Sequence, residues 1–393
     1  MPKDDRNKPE LTPARIRNIR EGLGLSQAEA GEVIGGGPRA FTKYEAGKVK
    51  PSAAISKLLL VLEDNPEALE MLTGKKLKVG TKSGRSPFET KGKHIEALDA
   101  EQFVDLGRRL LATEAYSHSL PAAKIHVPEK ITAPDGGEDA RIEWQDGPSS
   151  TRHLRCRLNQ FQMKSGKIGN TKAGNEVLNK KGDIKPMVKS ALEAGGAYTL
   201  LCAHGYTRAE IQKKEAAIRD SLTKAGLKIT DGQISFCDSS MIAEWVNTHP
   251  SVAVWVLEQT EKGSIGRFRS WEYWRSSPEH EVELIEDPRL TKIKDELVPA
   301  VSEPNNVRRV IGPSGAGKSR LVLESLNTEK ENTDAPLISD LTLYVDEQIA
   351  GSNAVKLAVQ NLADSGTRAL IVVDRCPIET HRDLANLVKR TES

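Results

Sequence analysis

Residues 307–326 read VRRVIGPSGAGKSRLVLESL: a β-branched run, then Gly312-x-x-x-x-Gly317-Lys318-Ser319, then apolar residues at helical spacing. The residue types at the centre answer the demands of phosphate binding. Glycines at 312, 315 and 317 let the backbone around Ser314 curl tightly enough for its N–H groups to surround a β-phosphate. Lys318 is placed for the β- and γ-phosphates and the Ser319 hydroxyl for Mg2+. The helix that follows turns its positive end toward the same anion. A second apolar run, ALIVVD at 369–374, brings Asp374 to the sheet edge beside that metal. Residues 305–393 are therefore expected to form an α/β phosphate-loop domain that binds a nucleoside triphosphate, ATP, with Mg2+.

Upstream, PDGGEDARIEW at 134–144 and QFQMKS at 160–165 suggest two adjacent strands, with Gln162 and Lys164 on one face because strand side chains alternate. An acid held beside an acceptor and a lysine two residues later is a set that can hold Mg2+ and orient water for phosphodiester hydrolysis. Asp139 is the expected metal ligand and the Met163 carbonyl a further oxygen; Lys164 stabilises the phosphate, and Glu101 on a preceding helix completes the shell. Asp135 and Glu143 stand as alternative ligands if the register differs by one pleat. Lys167, Lys172, Lys180, Lys181 and Lys185 follow the site and suit a phosphate backbone.

At the other end, residues 11–65 repeat apolar positions at helical spacing between short Gly and Pro signals, as in a small all-helical unit. Ser26 and Glu29 predict a capping box for one helix, and a glycine-rich turn leads to a second helix from about Pro38. This is the grammar of a helix-turn-helix. Phe41 and Tyr44 would face inward, Arg39, Thr42 and Lys43 would face a DNA groove, and Gln27 would meet a phosphate. Residues 73–94 carry seven Lys or Arg against the single Glu89 and no periodicity, which predicts a basic linker.

The expected order is a helix-turn-helix head at 1–72, a linker at 73–94, an α/β domain at 95–262, a connector at 263–304 and the phosphate-loop domain at 305–393. A formal net charge of +2 makes any nucleic-acid role depend on local clusters of basic residues. Cys156, Cys202, Cys237 and Cys376 are far apart with no metal-ligand spacing, consistent with reduced thiols. The N-terminal MPKDDRNKPE leads into no apolar run long enough to span a membrane, so the cytoplasm is the expected compartment.

Three resemblances sharpen these expectations. Residues 11–69 resemble the helix-turn-helix of MqsA-like antitoxins, in LTPxxIRxIRxxLGLSQAE and KYExGxVKPS; Gly35–Gly37 depart from it and are expected to loosen the turn. Residues 95–260 resemble the Mrr-like branch of the PD-(D/E)xK endonucleases, in the helix AEQFVDLGRRLL, the PDGGED turn and the strand ending QMKS. That resemblance implies catalytic roles for Asp139, Gln162 and Lys164, with Glu101 as the helical carboxylate. Residues from 307 onward resemble STAND-class NTPases, with Arg375 where many relatives carry a second acid, which implies slow, switch-like turnover. The chain ends nineteen residues after Asp374, so this domain is expected to be incomplete. Together they imply a bacterial antiviral defence protein: a DNA endonuclease switched by nucleotide-driven homo-oligomerisation. The alternative is a helix-turn-helix regulator with an inactive nuclease scaffold.

Overall fold

The computed structural model describes residues 11–23, 25–64, 69, 88–120, 123–128, 138–260, 268–277, 288–327 and 338–389. The alternative ligand Asp135, linker residues 73–87 and the acidic stretch 279–287 lie outside them. The chain divides into two compact units, Met1–Gly84 and Arg85–Ser393.

The first unit contains helices α1 (Pro13–Gly22), α2 (Gln27–Val33), α3 (Ala40–Glu45) and α4 (Ala53–Asp64). Ile16, Leu23, Phe41, Leu59 and Leu62 form its core, as helical spacing predicts. The capping box forms: Ser26 Oγ accepts from Glu29 N at 3.2 Å and Glu29 Oε2 from Ser26 N at 2.8 Å. The glycine run does not loosen the turn; it makes a tight one possible. Gly35, Gly36 and Gly37 take φ of 114°, 95° and 85°, where a Cβ is strained. A Cβ on Gly36 would also lie 2.7 Å from Ala40 Cβ.

In the second unit, a five-stranded sheet has the order β1 (Lys124–His126), β2 (Ala140–Glu143), β3 (Leu158–Lys164), β4 (Ala197–Cys202), β5 (Ile234–Cys237). Strands β1 to β3 are antiparallel, and β3 to β5 are parallel. Helices α5 (Gly92–Glu96) and α6 (Ala100–Ser117) precede the sheet. The parallel strands need crossovers, supplied by α7 (Asn170–Asn175) with α8 (Pro186–Glu193), and by α9 (Arg208–Lys224). Next come α10 (Ser239–Val246) and α11 (Pro250–Thr260). Both faces of β4 are covered: Tyr198, Leu200 and Cys202 join the core with Val188 and Ile218, while Leu201 joins that of Phe103, Leu106 and Val252. Such double coverage explains the unbroken apolar run AYTLLC. Residues 88–94, expected as linker, belong to this unit: Phe88 is 3 % exposed and Thr90 N donates to Asn247 Oδ1 at 2.7 Å.

A smaller sheet has the order β6 (Phe268–Ser270), β7 (Thr342–Asp346), β8 (Leu370–Asp374). Strand β6 pairs antiparallel with β7, so the expected connector contributes an edge strand. Helices α12 (Trp271–Arg275), α13 (Pro288–Ser302) and α14 (Lys318–Leu326) come before β7. Helices α15 (Glu347–Ala350) and α16 (Ser352–Asp364) lead to β8, and α17 (Ile378–Lys389) follows it. The strand expected at 307–311 is absent: residues 306–313 have neither strand nor helix geometry, and Ile311 is 83 % exposed. A β-branched run becomes a strand only where a ladder partner takes its N–H and C=O groups. Here a side chain makes the connection instead, Arg309 donating to the carbonyls of Cys376 and Pro377.

Inside the larger core lies a charged group that composition does not reveal. Glu114, 0 % exposed, accepts from Trp245 Nε1 at 3.0 Å and from Thr151 Oγ1, and pairs with His249 Nε2 at 2.8 Å. Burial would raise its pKa, but His249 and Thr151 outweigh that and hold it at about 2. Nearby His153, stacked on Trp245, is pushed down to about 4, mainly by burial. Both native pKa values lie below their unfolded values, so both groups contribute stability at neutral pH that is lost on acidification. The loss begins near pH 6.5 for His153 and near 4.5 for Glu114. Glu114→Ala is expected to cost roughly 3–5 kcal/mol, the penalty of stranding the partners of a buried charge. Urea unfolding followed at pH 7 and pH 5 checks both: the wild type should lose stability at pH 5 as His153 resists protonation, and the variant, less stable at both pH values, should lose at least as much, because the Glu114 charge that favours protonated His153 is gone.

Candidate functional site

Two cavities among the described residues of the second unit are bordered by residues of the expected sites. The smaller, about 300 Å3, is bordered by Ala100, Phe103 and Val104 of α6, by Asp139, and by residues 163–168 with Lys172. Asp139 just precedes β2, and its N–H donates to Phe161 O at 3.0 Å, which fixes it against β3. Its Oδ2 accepts from Gln162 Nε2 at 2.5 Å and from Met163 N at 2.6 Å. Met163 thus meets the site through its amide N–H. Lys164 Nζ lies 3.0 Å from Glu176 Oε2, just beyond α7.

The structure therefore gathers Asp139, Gln162 and Lys164, and adds Glu176. Nothing in the local pattern marks Glu176, because the turn from β3 into α7 brings it back. The one available signal was an acid at the end of a short helix in a lysine-rich stretch. Tyr198, on β4 between the two carboxylates' fields, is wholly buried with its hydroxyl unpartnered among the described residues; burial, then Glu176 and Asp139, push its pKa well up. Glu101 is exposed on α6 and does not border the cavity, so it does not complete the shell. Its position one residue past Ala100 turns it about 100° around the helix from the face that does. Glu143 pairs with Arg141 at 2.5 Å, and that ion pair occupies it. Of the five basic residues expected to follow the site, Lys167 and Lys172 border the cavity.

The donors suit a small hard cation in one respect. Gln162 is 4 % exposed and its Oε1 has no hydrogen-bond partner among the described residues, a buried acceptor next to the Asp139 carboxylate. Such an acceptor is costly unless a cation or water meets it. Among the described residues no group of three His, Cys, Asp or Glu forms a ready metal cage, so a bound Mg2+ would keep several waters.

The larger cavity, about 1780 Å3, is bordered by Arg309, Lys318, Ser319, Tyr344, Asp374 and Tyr116, among others. It exceeds the ~300–1,000 Å3 of an ordinary small-molecule pocket. It runs along the outer edge of β8, whose five residues are all half-buried. Gly315 and Gly317 take φ of 75° and 74°, and α14 starts at Lys318, as the motif predicts. Lys318 Nζ donates to the carbonyls of Gly312 and Pro313 at 3.1 and 2.7 Å, folding onto its own loop. A phosphate oxygen is a stronger acceptor than either carbonyl, so the arrangement accommodates an anion.

Ser319 Oγ donates to Asp374 Oδ2 at 2.8 Å, and Tyr344 Oη donates to the same oxygen at 3.2 Å. The two expected metal ligands are thereby brought together, along with a tyrosine that motif spacing did not single out. Asp346 sits beside Asp374 in the parallel register, and Arg375 forms a two-point ion pair with Asp346. Arg375 takes a left-handed φ of 49°, a strained conformation that the ion pair helps to hold.

In the head, Arg39 caps α3 without a side-chain bond, and Arg39, Thr42 and Lys43 are exposed. Gln27 is more engaged than expected: Nε2 donates to Glu45 Oε2 at 2.8 Å and Oε1 accepts from Thr42 at 2.9 Å. Glu45 is buried and also receives Arg20 Nε at 2.5 Å. Arg20 and Gln27 outweigh the effect of burial and lower its pKa. Gln27 therefore ties α2 to α3 and fixes their crossing.

Residues 5–73 match the sequence family described as the antitoxin component of bacterial toxin-antitoxin systems, MqsA. Over 63 residues, 16 % of this chain, the protein is 43 % identical to Antitoxin MqsA of Escherichia coli (strain K12). The match spans about half of that relative's length, 48 %. No solved structure matches the chain. The head is thus an MqsA-antitoxin-like domain of helix-turn-helix character, on a multidomain chain whose remainder is mixed α/β. No helix among the described residues is long and apolar enough to cross a membrane.

Proposed function

We propose that the protein is a DNA-binding, Mg2+-dependent endonuclease whose activity is governed by a nucleoside triphosphate, ATP, in bacterial antiviral defence, with homo-oligomerisation on activation. The observation that supports the nuclease reading is that Asp139 and Lys164 border one cavity with two more lysines, while Gln162 is hydrogen-bonded to Asp139. When bound, Mg2+ would polarise the scissile phosphate and lower the pKa of water. Asp139 and the Gln162 carbonyl oxygen would hold it. Met163 N–H fixes the carboxylate rotamer. Lys164, held by Glu176, supplies a positive charge for the phosphate as negative charge builds in the transition state. In the second cavity, Lys318 and the loop amides would bind the phosphates, and Ser319 and Asp374 the accompanying Mg2+. The test is plasmid cutting by the full chain in Mg2+, with and without ATP.

A second reading is a helix-turn-helix regulator on an inactive scaffold, favoured by the Lys164–Glu176 pair, which neutralises the lysine in this structure. Sequence-selective footprinting with no cutting under any nucleotide condition would establish it. Both readings place the head on DNA. Arg39→Ala with Lys43→Ala is expected to weaken binding nearly equally for all sequences and to lower the slope of log K against log salt by about 1 for each phosphate no longer neutralised. Fluorescence anisotropy across a salt series measures this; an unchanged slope removes these side chains from the interface.

A further inference from the structure

Helix α6 touches both cavities. Ala100, Phe103 and Val104 in its first turns border the Asp139 cavity, and Tyr116 and Ser117 in its last turn border the phosphate-loop cavity. Its 18 residues make a rod of about 27 Å. Between the ends, Gly107 lies against the end of the Met163 side chain, which reaches from β3, and a Cβ there would come within 1.8 Å of Met163 Cε. Met163 is the residue whose N–H holds the Asp139 carboxylate.

The next two residues of α6 are gripped from the phosphate-loop side. Arg108 Nη1 lies 3.5 Å from Asp340 in the turn that opens β7, and Arg109 Nη1 lies 2.5 Å from Glu272 on α12. Both grips lead back to Asp374. Tyr344, on β7, donates to Asp374 and stacks on Trp274 of α12 at 4.7 Å between ring centroids. Any ligand that takes Ser319 away from Asp374, as Mg2+ with a triphosphate would, changes what Asp374 accepts from Tyr344.

We propose that α6 transmits occupancy of the phosphate loop to the Asp139–Lys164 cavity, through Asp374–Tyr344, the Glu272–Arg109 and Asp340–Arg108 ion pairs, and the close seating of Gly107 on Met163. The proposal rests on the nucleotide reading of the loop. The Met163 side chain fills the space beside Gly107, so a shift of α6 meets that side chain first, and an interior of this density passes the shift on to its neighbours. The ion pairs put the drive on the two residues next to Gly107. The readout is therefore the Met163 amide, where the path ends and where cutting activity is not needed to see an effect.

The experiment is hydrogen exchange of the full chain over residues 161–164, with and without Mg2+ and a non-hydrolysable ATP analogue, beside a direct titration of that analogue. Wild type should bind the analogue and change exchange in this stretch by about fivefold or more, the lower range of ordinary site-to-site coupling. Arg108→Gln with Glu272→Gln should bind it equally well and show no change. Both side chains are about 40 % exposed, so the fold should tolerate neutral replacements. Tyr344→Phe, which removes one hydroxyl, should also reduce the response. Binding without a change in wild type, or an equal change in both altered proteins, overturns the proposal. Absence of binding overturns the nucleotide reading itself, and the proposal falls with it.

Discussion

Lys164→Ala and Asp139→Ala should each lower Mg2+-dependent nicking of supercoiled plasmid by about 10²–10³-fold, the usual effect of removing one group aimed at developing transition-state charge. The two act on different atoms. Asp139 is the carboxylate beside the orphaned Gln162 oxygen, and its loss also frees Met163 N–H and Gln162 Nε2. Raising Mg2+ should therefore recover part of the activity of Asp139→Asn but none of that of Lys164→Ala. Lys164 lies on the partly exposed end of β3 and holds Glu176, so its removal also takes the cation away from that carboxylate. Glu176→Gln separates the roles of that pair. If Glu176 only restrains the lysine, the neutral variant should cut at least as fast as wild type; if it positions the lysine, cutting should fall. Equal cutting by wild type and both alanine variants would refute the assignment of this cavity.

The second large effect is expected at Lys318. Its amine is held by two neutral carbonyls, which a bound triphosphate would replace with charged acceptors. A hydrogen bond to a charged group contributes about 1.5–3 kcal/mol, so Lys318→Ala should weaken nucleotide binding by roughly 10–150-fold. Titration calorimetry in Mg2+ measures it. Asp374→Asn should instead weaken the Mg2+ dependence of binding, because its carboxylate already engages the Ser319 hydroxyl expected on the metal. Wild-type affinity in Lys318→Ala would mean that the loop does not grip phosphate.

Much of this could be read from the sequence because the features are local. The Ser26–Glu29 box, the start of α14 at Lys318 and the glycine φ values depend on residues within a few positions of one another. So does the alternation on β3. Gln162 and Lys164 share a face because strand side chains repeat every two residues, whatever the sheet around them.

Other features depended on what the chain meets in three dimensions. The run at 307–311 has a strand's composition and is not a strand, because strand geometry requires a partner's hydrogen bonds. Residues 268–270 became one because β7 supplied them. Glu101 was placed on the right helix but not on the face that borders the cavity, which is set by how α6 seats on β3 through Gly107. The same holds for Glu176 on Lys164, for Gln27 between Thr42 and Glu45, and for Glu114 among Trp245, Thr151 and His249. The sequence by itself determined which residues can cap a helix or turn at positive φ, since those properties reside in single residues and their immediate neighbours. Only the tertiary structure decided which charges meet, because a Coulombic or hydrogen-bonded interaction acts over a few ångströms in space, and positions far apart in the chain reach that distance only when the layers pack.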